Sequence, residues 1–309
     1  MMMTIMKKII FFSILVILAV AGILGIFFKN QRPTPSSQKI QIITTLFAFY
    51  DFAKNIGLNQ AEVTLLLPPG VEAHTFEPKP SDIVKINESD IFIYAGDAME
   101  PWAFDIIKGL SSSKTQIIDS SNNIILSNST PQGGVDPHFW LNFANDQTIV
   151  DNILEALITK DPTNAAFYQI NADKYKAKLS KLDQDYQLKL SSCKSREIIY
   201  GGHAAFNYLS SRYNLSSQSA YGISPNSESS AQDLAKLIEQ IKKDNIKYIF
   251  YEELLSPKVA ETLAQETNTK LLLLNPAHNL TKEEFDQNVS YIKVMQNNLN
   301  NLIIGLNCQ

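Results

Sequence analysis

"DPTNAAFYQINADKYKAKLSKLDQDYQLKLSS", residues 161–192, runs without a glycine. Asp161 reads as an N-cap and Pro162 as the first helical residue. Tyr168, Tyr175, Leu179, Leu182 and Tyr186 recur at helical steps and make one apolar stripe. Thirty such residues give a helix of ~45 Å, long for a globular domain. The stripe is too short for a sustained coiled coil. On its N-terminal side, 39–47, 61–67, 90–96 and 115–119 read as strands, with helices near 48–57 and 80–88. On its C-terminal side, 196–202, 247–253 and 270–274 read as strands, with helices at about 204–213, 229–244 and 256–267. Strands alternating with helices imply βαβ units and a mainly parallel sheet. The expected fold is therefore α/β: two α/β lobes, 39–160 and 193–309, joined by one stiff backbone helix, 161–192.

The first thirty residues stand outside that fold. Ile9–Phe28 is broken only by Ser13, Gly22 and Gly25. Twenty residues span ~30 Å as a helix, one bilayer hydrocarbon core. Lys7 and Lys8 before it suggest a cytoplasmic start and an exported remainder. Ala19-Val20-Ala21 offers a cleavage site, but the apolar run continues past it, which favours an uncleaved anchor over a removed signal. "QRPTPSSQ", 31–38, reads as a flexible tether. The two cysteines, Cys193 and Cys308, are far from this run, so it lacks the cysteine of a lipoprotein anchor. Export places the chain outside the cytoplasm, in a periplasm or at the outer face of the cytoplasmic membrane, where a disulfide is permitted. A net charge of −4 among 309 residues argues against nucleic acid as a partner.

The chain has four histidines, His74, His138, His203 and His278. Each falls in a loop after strands, two in each half, where open α/β sheets bind ligands. All four can face one cleft between the lobes. No catalytic pattern competes: there is no nucleophile elbow, no HExxH and no Walker phosphate loop. "GGH" at 201–203 is glycine-rich but lacks the phosphate-loop lysine.

Six motifs carry a resemblance: "PPGVEAHTFEPKPSDI", "GGVDPHFWLNFAN", "DPTNAAFYQINADKY", "GGHAAFNYLSSRY", "YEELLSPKVAETLAQET" and "LNPAHNLTKEEFDQNVSYIKVMQNNLNNL". In this order and spacing the chain resembles the ZnuA-like receptors, cluster A-I solute-binding proteins of zinc and manganese ABC importers. The match runs from about residue 40 to the C-terminus. The resemblance implies that the two lobes are Rossmann-like with a metal between them, and that His74, His138 and His203 are its first three ligands. Many members place an aspartate where this chain has Asn275. Other zinc receptors place a glutamate three residues later, where this chain has His278. His278 is therefore read as the fourth ligand, with water, Glu252 or Glu253 as the alternative. Glu77, Asp136, Tyr200 and Glu228 lie near the ligands and are not read as ligands. Four imidazoles suit tetrahedral Zn2+ in a closed shell. Mn2+ prefers oxygen donors. Residues 110–137 hold no histidine, so a metal-buffering loop is not expected there.

The expected function is capture of extracytoplasmic Zn2+, as transported cargo and not as a catalytic cofactor. Delivery would be to a membrane permease driven by a cytoplasmic ATPase, with the receptor acting as a monomer. No catalytic residue is assigned. The alternatives are a zinc hydrolase using the same histidines and a metal-binding surface adhesin. The acidic balance and the absence of a separate binding module weigh against the second. Cys193 closes the backbone helix. Cys308 ends a final helix read over 283–308, with Phe285, Val289, Ile292, Met295, Leu299 and Leu302 as its docking stripe. A Cys193–Cys308 disulfide would pin that end, and relatives ending in a similar cysteine point the same way; two free thiols remain the alternative.

Overall fold

The computed structural model describes residues 39–309 apart from 112–113, 129–133 and 228–229. The expected anchor (1–30), the tether (31–38) and Glu228 lie outside the described residues. Among those described, no helix is long and apolar enough to cross a membrane.

The first lobe contains β1 (Ile40–Thr44), α1 (Phe47–Gly57), β2 (Ala61–Leu65), α2 (Pro80–Glu88), β3 (Ile91–Tyr94), α3 (Pro101–Gly109) and β4 (Gln116–Asp119). Its four strands are parallel in the order β2-β1-β3-β4, with Thr44 level with Leu65 on one side and Ile93 on the other. The second lobe repeats this order with β5 (Glu197–Tyr200), α6 (Asn207–Arg212), β6 (Ser216–Ser219), α7 (Ala231–Lys243), β7 (Tyr248–Tyr251), α8 (Lys258–Thr267) and β8 (Lys270–Leu273). Its sheet runs β6-β5-β7-β8, all parallel. The central strand β3, IFIY, is buried at every residue, as a strand covered on both faces must be. Edge strands can be polar: β6 is SSQS, and no apolar signal marks it in the sequence. In both lobes the strand order reverses beside the first strand, so the crevices open at the C-terminal ends of β1 and β3, and of β5 and β7.

Between the lobes run α4 (Phe143–Lys160) and α5 (Ala165–Ser191). The sequence reading missed α3 and α4. Asn142 caps α4 by accepting the Ala144 amide at 3.0 Å. The backbone helix α5 starts later than read. Pro162–Asn164 is a 3-10 turn, and Asp161 precedes that turn instead of capping the long helix. The Asp161 carboxylate accepts from Asn164 Nδ2 and the Tyr168 hydroxyl. The expected stripe is the buried face of α5. Its tyrosines pack their rings and use their hydroxyls: Tyr175 donates to Asp51 of α1 at 2.7 Å, and Tyr186 donates to the Met295 carbonyl at 2.6 Å. One helix thereby fastens to both ends of the chain. Arg196 closes its C-terminus by donating to the Leu190 carbonyl.

The single final helix expected over 283–308 is two, α9 (Lys282–Asp286) and α10 (Tyr291–Gly305). Asn288 adopts a left-handed conformation, φ 54°, and Ser290 restarts the helix by accepting the Lys293 amide. The buried face of α10 is Tyr291, Val294, Met295, Asn298, Leu299 and Leu302; of the stripe read, Met295, Leu299 and Leu302 lie on it, while Phe285, Val289 and Ile292 are partly buried against the same core. Cys193 and Cys308 form a disulfide, 115 residues apart. The Ser195 amide also donates to the Leu306 carbonyl at 3.0 Å, so the same end is held by backbone pairing. Replacing both cysteines by alanine should lower stability by up to about 4 to 5 kcal/mol in the chain-entropy view of a loop this long. Urea midpoints of the oxidised protein and the double variant test this; equal midpoints would show the bridge adds nothing.

Candidate metal centre

Each histidine is placed by a different local device. His74 sits in the irregular loop between β2 and α2, where Glu72 Oε2 accepts the Thr75 amide at 3.0 Å. His138 precedes the 3-10 turn Phe139–Leu141, and its own amide donates to Asp136 Oδ1 at 3.0 Å. His203 follows β5 directly after Gly201 and Gly202. His278 follows β8 after a turn at Ala277, which takes φ 56°.

The structure brings all four imidazoles together. Each offers one nitrogen, and these nitrogens lie within 4.8 Å of one another. His74 Nε2 is 3.2 Å from His138 Nε2, which is 3.1 Å from His203 Nε2. Nitrogen ligands at about 2.0–2.1 Å from tetrahedral zinc stand about 3.3 Å apart, so these separations suit its edges. His138, His203 and His278 are buried, whereas His74 keeps partial contact with solvent. The cluster therefore reaches solvent through His74.

Two buried carboxylates decide which nitrogen carries the proton. Asp136 Oδ1 is 2.8 Å from His138 Nδ1, and Glu252 Oε2 is 2.7 Å from His203 Nδ1. In each neutral ring the proton sits on Nδ1 and donates to the carboxylate, leaving an Nε2 lone pair facing inward. Two such lone pairs at 3.1 Å repel, and a shared cation converts that repulsion into attraction. His278 Nε2 is buried with no hydrogen-bond partner among the described residues. A buried nitrogen of this kind calls for a partner, and a metal ion fits the donor set.

The charges fit the same chemistry. Burial holds His74 and His278 well below the ordinary imidazole range, and the neighbouring imidazoles push the same way. Burial also lowers His138, although Asp136 opposes it. Burial raises the Asp136 carboxyl, but its bonds from His138 and Asn207 outweigh that and hold it below the usual carboxylate range. Neutral imidazoles are the metal-binding form. With these three held below the ordinary value of about 6.5, protons should displace metal from them only under more acid conditions than an ordinary imidazole requires. Competition titrations from pH 8 to pH 5 should show zinc affinity falling most steeply below pH 6.5; a fall already complete above pH 6.5 would contradict the depressed values.

Sequence reasoning named Asp136 among the groups near the ligands without giving it a partner, and weighed Glu252 and Glu253 only as alternative ligands. Glu252, held as an alternative ligand, is the partner of His203 Nδ1. Glu253 instead accepts from Asn275 Nδ2 at 2.8 Å. Asn275 turns its amide oxygen to the Ala277 amide at 2.7 Å, so both ends of that side chain serve the turn. Tyr200 donates to the Leu274 carbonyl, and Glu77 is exposed. The "GGH" glycines are packing devices. A Cβ at Gly201 would meet Ala260 Cβ at 2.5 Å, and one at Gly202 would meet Glu252 Oε2 at 2.7 Å. The missing side chains let α8 and the Glu252 carboxylate approach.

The chain is 35% identical to the zinc-binding protein AdcA of Streptococcus pyogenes, over 93% of this chain and 60% of that protein's length. It is 35% identical to the high-affinity zinc uptake system protein ZnuA of Bacillus subtilis, over 85% of this chain and 86% of the relative. The crystal structure of the Zn(II)-bound ZnuA-like domain of Streptococcus pneumoniae AdcA superposes with TM-score 0.77 at 35% identity, covering 87% of this chain and 99% of that domain. The family described as "Zinc-uptake complex component A periplasmic" matches residues 42–304, and the chain belongs to this ZnuA family.

Proposed function

We propose that the chain is an extracytoplasmic receptor that captures one Zn2+ through His74, His138, His203 and His278 and passes it to an ABC permease driven by a cytoplasmic ATPase. The observation that carries this reading is the convergence of four imidazole nitrogens, two with their tautomer set by a buried carboxylate. Four nitrogen donors make a closed tetrahedral shell, the arrangement for holding zinc, not for activating water on it. A hydrolase would need an open coordination position, which four imidazoles on one ion do not leave. Nitrogen donors favour zinc over manganese. Family membership and the zinc-binding relatives support the same reading.

Metal titration of the chelated protein tests it. One Zn2+ per chain, with Mn2+ bound far more weakly and no hydrolysis of ester or peptide substrates, is the expected result. Zero stoichiometry, or turnover that depends on zinc, would refute it. His278→Ala should weaken zinc binding by at least tenfold, and Asn275→Ala should do so much less, because an imidazole is the better zinc ligand. The reverse ranking would move the fourth ligand to Asn275.

A further inference from the structure

The segment Pro276–Leu280 follows β8 of the second lobe, yet its hydrogen bonds go to the first. The Pro276 carbonyl accepts from Trp140 Nε1 at 2.9 Å. The His278 carbonyl accepts the Phe47 amide at 2.8 Å, and the Leu280 carbonyl accepts the Gly70 amide at 2.7 Å. Asn279 Nδ2 donates to the Pro68 carbonyl at 2.7 Å and to the Val71 carbonyl at 2.9 Å. The segment is a strap: its root, Asn275, pairs with Asn298 of α10 by two hydrogen bonds, and its body lies on the first lobe.

These bonds divide the strap's contacts by what they hold. Phe47 begins α1 and Trp140 is fully buried, so both are fixed points that set His278. Pro68, Gly70 and Val71 belong to the irregular loop that carries His74, whose other anchors are apolar: Ala73 is buried in the core and Phe76 packs its ring on Trp102. Asn279 is 1% exposed, and both amide protons are engaged by that loop. Its own Oδ1 accepts the Leu280 amide at 2.9 Å, which fixes its rotamer.

We propose that Asn279 is a positioning residue of the metal site: its amide holds the His74 loop against the strap, so that His74 meets the other three imidazoles. The inference rests on the four-histidine reading. His74 is the ligand that reaches solvent, so loosening its loop should show mainly as faster metal release.

The test is a double-mutant cycle on the full chain, with Zn2+ affinity by chelator competition, release rate by stopped flow, and the visible spectrum of the Co2+ form. Asn279→Ala should weaken Zn2+ binding by tenfold or more, chiefly through faster release, and should reduce the intense absorption of tetrahedral Co2+. In a His74→Ala background the same change should cost less than about twofold, since the ligand it positions is gone. Asn279→Asp, which keeps the shape and lacks both donors, should follow alanine; it carries the test if Asn279→Ala fails to fold. Wild-type affinity and spectrum in Asn279→Asp, or an equal loss in both backgrounds, would overturn the proposal. Failure of the unaltered protein to bind Zn2+ would instead remove the four-histidine reading itself.

Discussion

Replacing His203 by alanine is expected to lower zinc affinity by about a hundredfold or more. Closed zinc sites hold the ion with roughly 10–16 kcal/mol shared among four ligands, on the order of 3 kcal/mol for each, and 1.4 kcal/mol is a factor of ten. His203 is fully buried, so solvent does not easily supply a substitute ligand. The substitution also strands Glu252, 4% exposed, without the ring it accepts from at 2.7 Å. His74→Ala should cost less than His203→Ala, because water can reach the position His74 occupies. Chelator-competition titrations of the two variants check both statements. Near-wild-type affinity for His203→Ala would remove that residue from the shell.

Gly202→Ala should weaken zinc binding by roughly 10- to 100-fold, the range seen when a partner of a ligating histidine is lost, without touching any ligand. Its Cβ would stand 2.7 Å from Glu252 Oε2 and 2.7 Å from Tyr200 Cε1. Tyr200 is pinned by its hydroxyl on the Leu274 carbonyl at 2.9 Å, so Glu252 must give way. His203 Nδ1 then loses its acceptor and the ring its fixed tautomer. Overpacking adds about 1–3 kcal/mol of destabilisation. Gly109→Ala, which meets nothing within 4 Å, is the matched control and should leave zinc affinity unchanged without lowering stability. Affinity and urea midpoints of the two alanine variants decide this; unchanged zinc affinity in a folded Gly202→Ala protein would show that Glu252 does not set the His203 ring.

The pattern of strands and helices was legible because central strands such as Ile91–Tyr94 are unbroken apolar runs, and the backbone helix announces itself by its tyrosine stripe. Helix α4 was equally readable from Asn142 as a cap and from Ile149, Ile153 and Leu157 at four-residue steps, yet it went unassigned beside its longer neighbour. Strand β6 could not be read: Ser216–Ser219 is polar at every residue, and it is a strand because β5 offers it an edge. The break in the last helix was signalled by Asn288 and Ser290, a left-handed turn former followed by a cap. All four histidines were visible as a set because they are so few and each lies in a loop C-terminal to a strand. Their carboxylate partners divide by distance. Asp136 lies two residues from His138 and reaches it by a local turn, which the sequence contains. Glu252 comes to His203 from β7, 49 residues away, by sheet order alone. Spacing cannot show such a pair, and Glu252 therefore entered the sequence reading only as one alternative to His278 for the fourth ligand.

X-ray absorption at the zinc edge, on the full chain loaded with one equivalent of Zn2+, tests the central claim most directly. Four imidazoles on one ion should appear as four nitrogen neighbours at about 2.0–2.1 Å, with the outer-shell scattering of four rings and no carboxylate. Three rings with a carboxylate or water oxygen in the fourth position would contradict it.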